Sequence, residues 1–186
     1  AVLAGLTTFA TPSDSGMQIV FKHLPESVIA AATKTAVSKG LTLNAILLGT
    51  LAHLLHERTM QAELVISQVY LGRGLDELEA VGSFSTPVAL PFSFNGASTV
   101  ESTCRLALQE TMKVMQRGDI LGDELVASVG YELNDVRPIS RPEEFRKPLD
   151  VSLADLMLAV NQFSDGYGVN IMFNGFKYAS SDVEAF

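Results

Sequence analysis

Apolar and polar residues alternate through Met17, Ile19 and Phe21, and this period of two predicts a strand. Glu26 to Lys39 is alanine-rich and reads as a helix, with Pro25 near its first turn and Gly40 placed as its C-terminal cap. Thr42 is placed to cap a second helix that runs to about Arg58. That segment is apolar nearly all round, so it is expected to be buried on most sides. Leu64 to Tyr70 is rich in β-formers and fits an interior strand. Val88, Leu90, Phe92 and Phe94 alternate again, but Pro87 and Pro91 restrict that strand to an edge or an irregular pairing. Ser98 and Glu101 have capping-box spacing, opening a helix to about Gln116 with apolar positions Val100, Cys104, Leu108, Met112 and Met115.

Further along, a short helix is expected over Asp123 to Val129, and residues 134–148, rich in Arg and Pro, read as a loop. The run VSLADLMLAV at 151–160 is ambiguous. Leucine and alanine favour helix, whereas Val151, Leu153 and the following turn suit a hairpin, and strand is the reading adopted. Asp165-Gly166 marks a turn before Tyr167, Val169, Ile171 and Phe173, a second period-two strand. Residues 1–15 read as a linker. No internal repeat is visible, and the order of elements gives a mixed-sheet α/β sandwich with helices packed on the sheet.

Composition narrows the function classes. Apolar residues make up 47% and charged residues 18% of 186 residues, enough for a packed core and contrary to disorder. The net charge of −8, with scattered lysines and arginines, gives no basic patch for nucleic acid. The longest apolar run, near Ala45 to Leu55, falls short of the about 20 residues a membrane span requires. The single cysteine, Cys104, excludes an internal disulfide, suits a reducing cytosol and sits on the apolar face of its helix, where core is the favoured reading. A cytoplasmic location is expected.

Candidate chemistry is sparse. His53 and His56 are three apart on the apolar helix, with no carboxylate or cysteine on the same face to complete a metal site, and His23 ends a strand. No histidine neighbours a recognised nucleophile setting. Gly72-x-Gly74 lacks the third glycine of a dinucleotide fingerprint, and no P-loop is present. No self-contained catalytic constellation emerges, and no metal is expected. The chain begins at Ala1, and the capping box Ser181-x-x-Glu184 opens a helix that reaches only Phe186; the expectation is a piece of a longer protein, cut in its last helix.

From residue 42 to residue 91 the pattern resembles nonribosomal peptide synthetase condensation domains. A buried helix leads to an interior strand, then to Gly72-Arg73, matching the family's glycine-arginine turn, and to Val81-Gly82-Ser83-Phe84, matching its Val-Gly-x-Phe segment. Asp165-Gly166 and Ile171-Met172-Phe173-Asn174 resemble the later strand pair, and Ser181 to Phe186 the start of the final helix. The similarity runs in order along nearly the whole chain. Two departures stand out. Phe-Val-Asn-Thr is Phe84-Ser85-Thr86-Pro87 here, and the sixth family motif falls on residues 117–123 with only its first aspartate and an acidic end retained.

The resemblance implies one chloramphenicol acetyltransferase-like lobe, the C-terminal one, over residues 16–186. In the complete domain two lobes enclose a tunnel, and carrier proteins deliver donor and acceptor on phosphopantetheine arms for peptide-bond formation. The histidine motif belongs to the N-terminal lobe, and no adjacent histidines occur here. The implied partners are therefore that lobe and carrier proteins, with no cofactor bound directly and no activity from this piece alone. Gly82, Ser83, Phe84, Ser85 and Thr86 are the candidate tunnel wall, while Gly72 and Arg73 are candidates for a structural pairing or a carrier contact. The departures leave open a non-catalytic platform that recruits partner enzymes, or a lobe of an acyl-CoA acyltransferase of the same fold. Without its partner lobe, the chain is expected to expose an apolar face and to self-associate.

Overall fold

The computed structural model describes residues 16–71, 85–117, 127–137 and 154–185. Strand β1 (Met17–Leu24) is followed by helices α1 (Glu26–Lys39) and α2 (Leu43–Thr59), then by strands β2 (Glu63–Leu71) and β3 (Ser85–Ser93). Helix α3 (Val100–Arg117) leads to β4 (Val129–Asp135), β5 (Leu156–Phe163), β6 (Gly166–Asn174) and helix α4 (Ser180–Ala185). The six strands form one mixed sheet in the order β1-β6-β5-β4-β2-β3. Strands β2, β4 and β5 run parallel to one another, and the remaining pairs are antiparallel. The expected α/β sandwich is what forms.

Local chemistry sets the boundaries. Gly40 ends α1 in the left-handed region at φ 65, and its N–H reaches the carbonyls of Ala36 and Val37. Thr42 Oγ1 accepts from Ala45 N at 3.1 Å and opens α2. Met60 closes α2 at φ 55, an uncommon place for a residue with a Cβ. Strand β3, which carries Pro87 and Pro91, sits at the sheet edge as those prolines require. Gly166, at φ 134, makes the tight return from β5 to β6 at the Asp165-Gly166 turn.

Four sequence expectations need correction. Helix α3 is capped one residue later than Ser98 and Glu101 suggest: Ser102 N donates to Thr99 Oγ1 at 3.2 Å, and Thr99 N donates to Ser102 Oγ at 2.9 Å. Ser98 Oγ instead accepts from Asn95 N, and Glu101 pairs with Lys39 and Arg105. Val129 opens strand β4 rather than closing a helix, and Asn134 and Asp135 are strand, not loop. The strand expected from residue 151 starts at Leu156. Helix α4 starts at Ser180, where Ser180 Oγ donates to Gln18 Oε1 at 2.7 Å.

Because side chains alternate across a sheet, the register sorts every strand residue to one of two faces. Leu64, Ile66, Leu90, Phe92, Val129, Tyr131, Leu156, Val160, Ile171 and Phe173 share one face. Leu48, Leu51, Ala52 and Leu55 of α2, Ala107 of α3 and Val183 of α4 pack against it as one core. Helix α1 joins through α2 and α3, with Ala36, Leu41 and Cys104 in a satellite cluster. Gly49 lets α2 lie directly on the α3 backbone, since a Cβ there would come within 2.5 Å of Cys104 Cα. Burying these apolar side chains at about 25 cal/mol per Å² is what holds helices to sheet.

Candidate functional site

With the helices on one side, the other sheet face is where the composition changes. That face carries Gly130, Glu132 and Asn134 on β4, Met157, Ala159, Asn161 and Phe163 on β5, and Gly168, Asn170 and Met172 on β6. Asn161 is fully buried and Asn170 is 3% exposed, so two amides sit inside strands otherwise built of apolar residues. Asn134 Nδ2 donates to Glu132 Oε2 at 3.2 Å and to Asn161 Oδ1 at 3.1 Å, tying three of these side chains together. Asn170 Oδ1 is buried with no hydrogen-bond partner. An unpaired buried carbonyl costs about 1–3 kcal/mol, so its retention asks for an explanation.

The cluster lies toward the carboxyl ends of the parallel strands β4 and β5, where open α/β sheets bind ligands. At the corresponding end of β2 the chain leaves the sheet at Leu71 and re-enters at Ser85, so the segment expected to line a tunnel is anchored on this same sheet edge. Of the seven residues singled out from sequence, Gly72, Arg73, Gly82, Ser83 and Phe84 lie outside the described residues. Ser85 and Thr86 open β3, paired with Leu71 and Tyr70. Sequence reasoning passed over Glu132, Asn134, Asn161 and Asn170. The signal was present as lone polar residues within apolar strand runs, Ala159-Val160-Asn161 and Val169-Asn170-Ile171.

The helical side offers packing instead of chemistry. His56 stacks flat on Phe94 with ring centroids 4.2 Å apart, and its Nδ1 lies 2.7 Å from the Gln61 carbonyl. His53 Nδ1 lies 3.3 Å from Thr103 Oγ1. Both rings are thus used in the α2–α3 contact, as core histidines are. Among the described residues, no three His, Cys, Asp or Glu side chains converge as metal ligands. Cys104 is 1% exposed, its Sγ faces the Ile46 carbonyl at 3.6 Å, and burial pushes its thiol up, away from the reactive thiolate. Tyr131, fully buried in the core, is likewise pushed up by burial. An open groove of about 420 Å³ beside Leu41, Leu108 and Met112 is flanked by Arg105 and Lys113, but each cation is already paired, with Glu101 and Glu110. Among the described residues no single helix is long and apolar enough to cross a membrane.

No family model and no curated protein matches the sequence. Solved structures do match. The condensation domain of the monacolin K polyketide synthase MokA superposes with a TM-score of 0.77 at 14% identity, over 98% of this chain and 48% of that one. The first condensation domain of the CDA synthetase gives 0.71 at 17% identity, over 95% and 44%. The X-domain from teicoplanin biosynthesis, solved in complex with OxyB, gives 0.70 at 16% identity, over 91% and 42%. The chain spans about half the length of these structures, and its six-stranded α/β sandwich has the fold of one lobe of the condensation domains of nonribosomal peptide synthetases.

Proposed function

We propose that this chain is the C-terminal lobe of a condensation domain and forms one wall of a cleft in which a carrier-bound acyl donor meets a carrier-bound amine. The observation that carries this reading is the polar face itself. Six strands pack their helices on one side, while the opposite side holds buried amides and an unpaired carbonyl. A lobe that functioned alone would gain by filling that face with apolar side chains. Chain length agrees, since the matching domains are about twice as long.

Amide formation from a thioester and an amine is downhill, so the catalytic task is largely alignment and exclusion of water. In this reading the lobe supplies a rigid sheet as one wall, and residues 72–86 leave and rejoin that sheet as the remainder of the wall. Gly82, Ser83, Phe84, Ser85 and Thr86 line the tunnel, Gly72 and Arg73 hold the turn, and phosphopantetheine arms enter from carrier proteins. Proton transfer falls to the histidine motif of the other lobe. The test is condensation by the longer domain that contains this chain, given an acyl-loaded donor carrier and an aminoacyl-loaded acceptor carrier. A new amide product, detected by mass spectrometry, is expected. Carriers that stay loaded with no amide formed, under conditions where a known condensation domain turns over, would refute it.

A second reading is favoured by one observation, the similarity to an X-domain solved with a partner enzyme. Here the lobe belongs to a platform that binds another protein and makes no bond. It predicts a stable complex with an oxygenase-type partner and no amide product.

A further inference from the structure

We infer that the row Glu132–Ala159–Asn170 seats a primary amine, that of the acceptor group; this rests on the cleft-wall reading above and assigns residues to it. The register places Ala159 directly between the other two, opposite Glu132 on β4 and opposite Asn170 on β6. Neighbouring strands lie about 4.8 Å apart, so the two oxygen-bearing side chains stand about 10 Å apart at their backbones, with only a methyl between them. Any larger residue at 159 would fill that notch.

The chemistry of the notch is one-sided. On this face of β4, β5 and β6, Glu132 carries the one formal charge, and it is negative. One Asn134 amide supplies donors to both Glu132 Oε2 and Asn161 Oδ1, and Asn170 Oδ1 receives none. Acceptors therefore outnumber donors, at a half-buried carboxylate on one side and a dry carbonyl on the other. An ammonium or amine has donors to give and, when protonated, no acceptor to satisfy, so it complements the set. A phosphate, carboxylate or ester oxygen would face acceptors only. The dry carbonyl adds selectivity, because a ligand without an N–H leaves it unpaired as before.

The probe is a non-hydrolysable glycyl-pantetheine amide, compared with its N-acetyl twin, which lacks the amine. Both are titrated calorimetrically into the complete domain, in wild-type form and as Glu132→Gln, Asn170→Leu and Ala159→Leu. The wild type is expected to bind the amine at least about tenfold more tightly than the acetylated twin, the scale of one hydrogen bond to a charged group. Glu132→Gln and Asn170→Leu should each shrink that ratio, and Ala159→Leu should weaken the amine probe alone. Glu132 is only half-buried, so Glu132→Gln keeps the test available where Asn170→Leu unfolds the lobe, which a melting curve reports. Equal binding of both probes by the wild type, or an unchanged ratio in folded Glu132→Gln, would overturn the assignment. A domain that joins loaded carriers yet shows no preference sinks this inference and spares the cleft-wall reading; a preference without any amide product does the reverse.

Discussion

Gly49→Ala tests how α2 and α3 are held together. A Cβ at position 49 would lie 2.5 Å from Cys104 Cα, 2.7 Å from its backbone N and 2.8 Å from its Sγ. Carbon atoms in contact prefer about 3.5–4.0 Å, so the helices must part by about 1 Å. Two of the three obstructing atoms are backbone, and no rotamer change relieves them. Small-to-large insertion in a packed core costs about 1–3 kcal/mol. Against this, alanine in a helix interior gains about 1 kcal/mol over glycine. With the contact made to backbone, the cost lies near the top of its range and the net loss is about 1–2 kcal/mol. In a chain of this size that lowers Tm by about 2–8 °C. Urea unfolding followed by circular dichroism should show a lower midpoint with unchanged slope. Adding Cys104→Ala removes only the Sγ contact and should restore less than half of the loss. A Gly49→Ala protein as stable as the wild type, or more so, would refute the close-packing reasoning.

Met60→Gly should stabilise the chain by about 0.5–1 kcal/mol, because Met60 is 80% exposed and held at φ 55; thermal melting checks it. Cys104 should react with a thiol reagent only as fast as the chain opens, and at the rate of a free thiol once denatured; stopped-flow labelling distinguishes the two. The Lys39 ammonium, and then the Arg105 guanidinium, hold the Glu101 carboxyl below the usual carboxylate range. The sign follows: any stability from this exposed group is present above the ordinary carboxylate pKa and fades as pH falls through the lowered one. NMR titration should show that lowered midpoint, rising toward the ordinary value in Lys39→Ala.

Much of the sheet and both long helical caps were legible because local chemistry and tertiary packing agree there. Thr42 and Gly40 cap in place, and the prolines at 87 and 91 force β3 to the edge. Strand β4 was missed although Val129, Tyr131 and Leu133 alternate, because the intervening Gly130, Glu132 and Asn134 are poor strand formers. Those polar positions are the face that the cluster occupies, so the same residues hid the strand and mark the site. The α3 cap was misread because a serine at position 102 serves where a glutamate was sought. Asn170 and Asn161 escaped notice for a different reason: a polar residue in an apolar run declares itself only when the register shows which residues stand beside it.

The most direct measurement is complementation. The 186-residue chain is assayed for amide formation between loaded carriers alone, and again after mixing with the separately purified half that bears the histidine motif. Product only in the mixture is the predicted result. Product from the chain by itself would contradict the assignment of this lobe as a wall that leaves proton transfer to its partner.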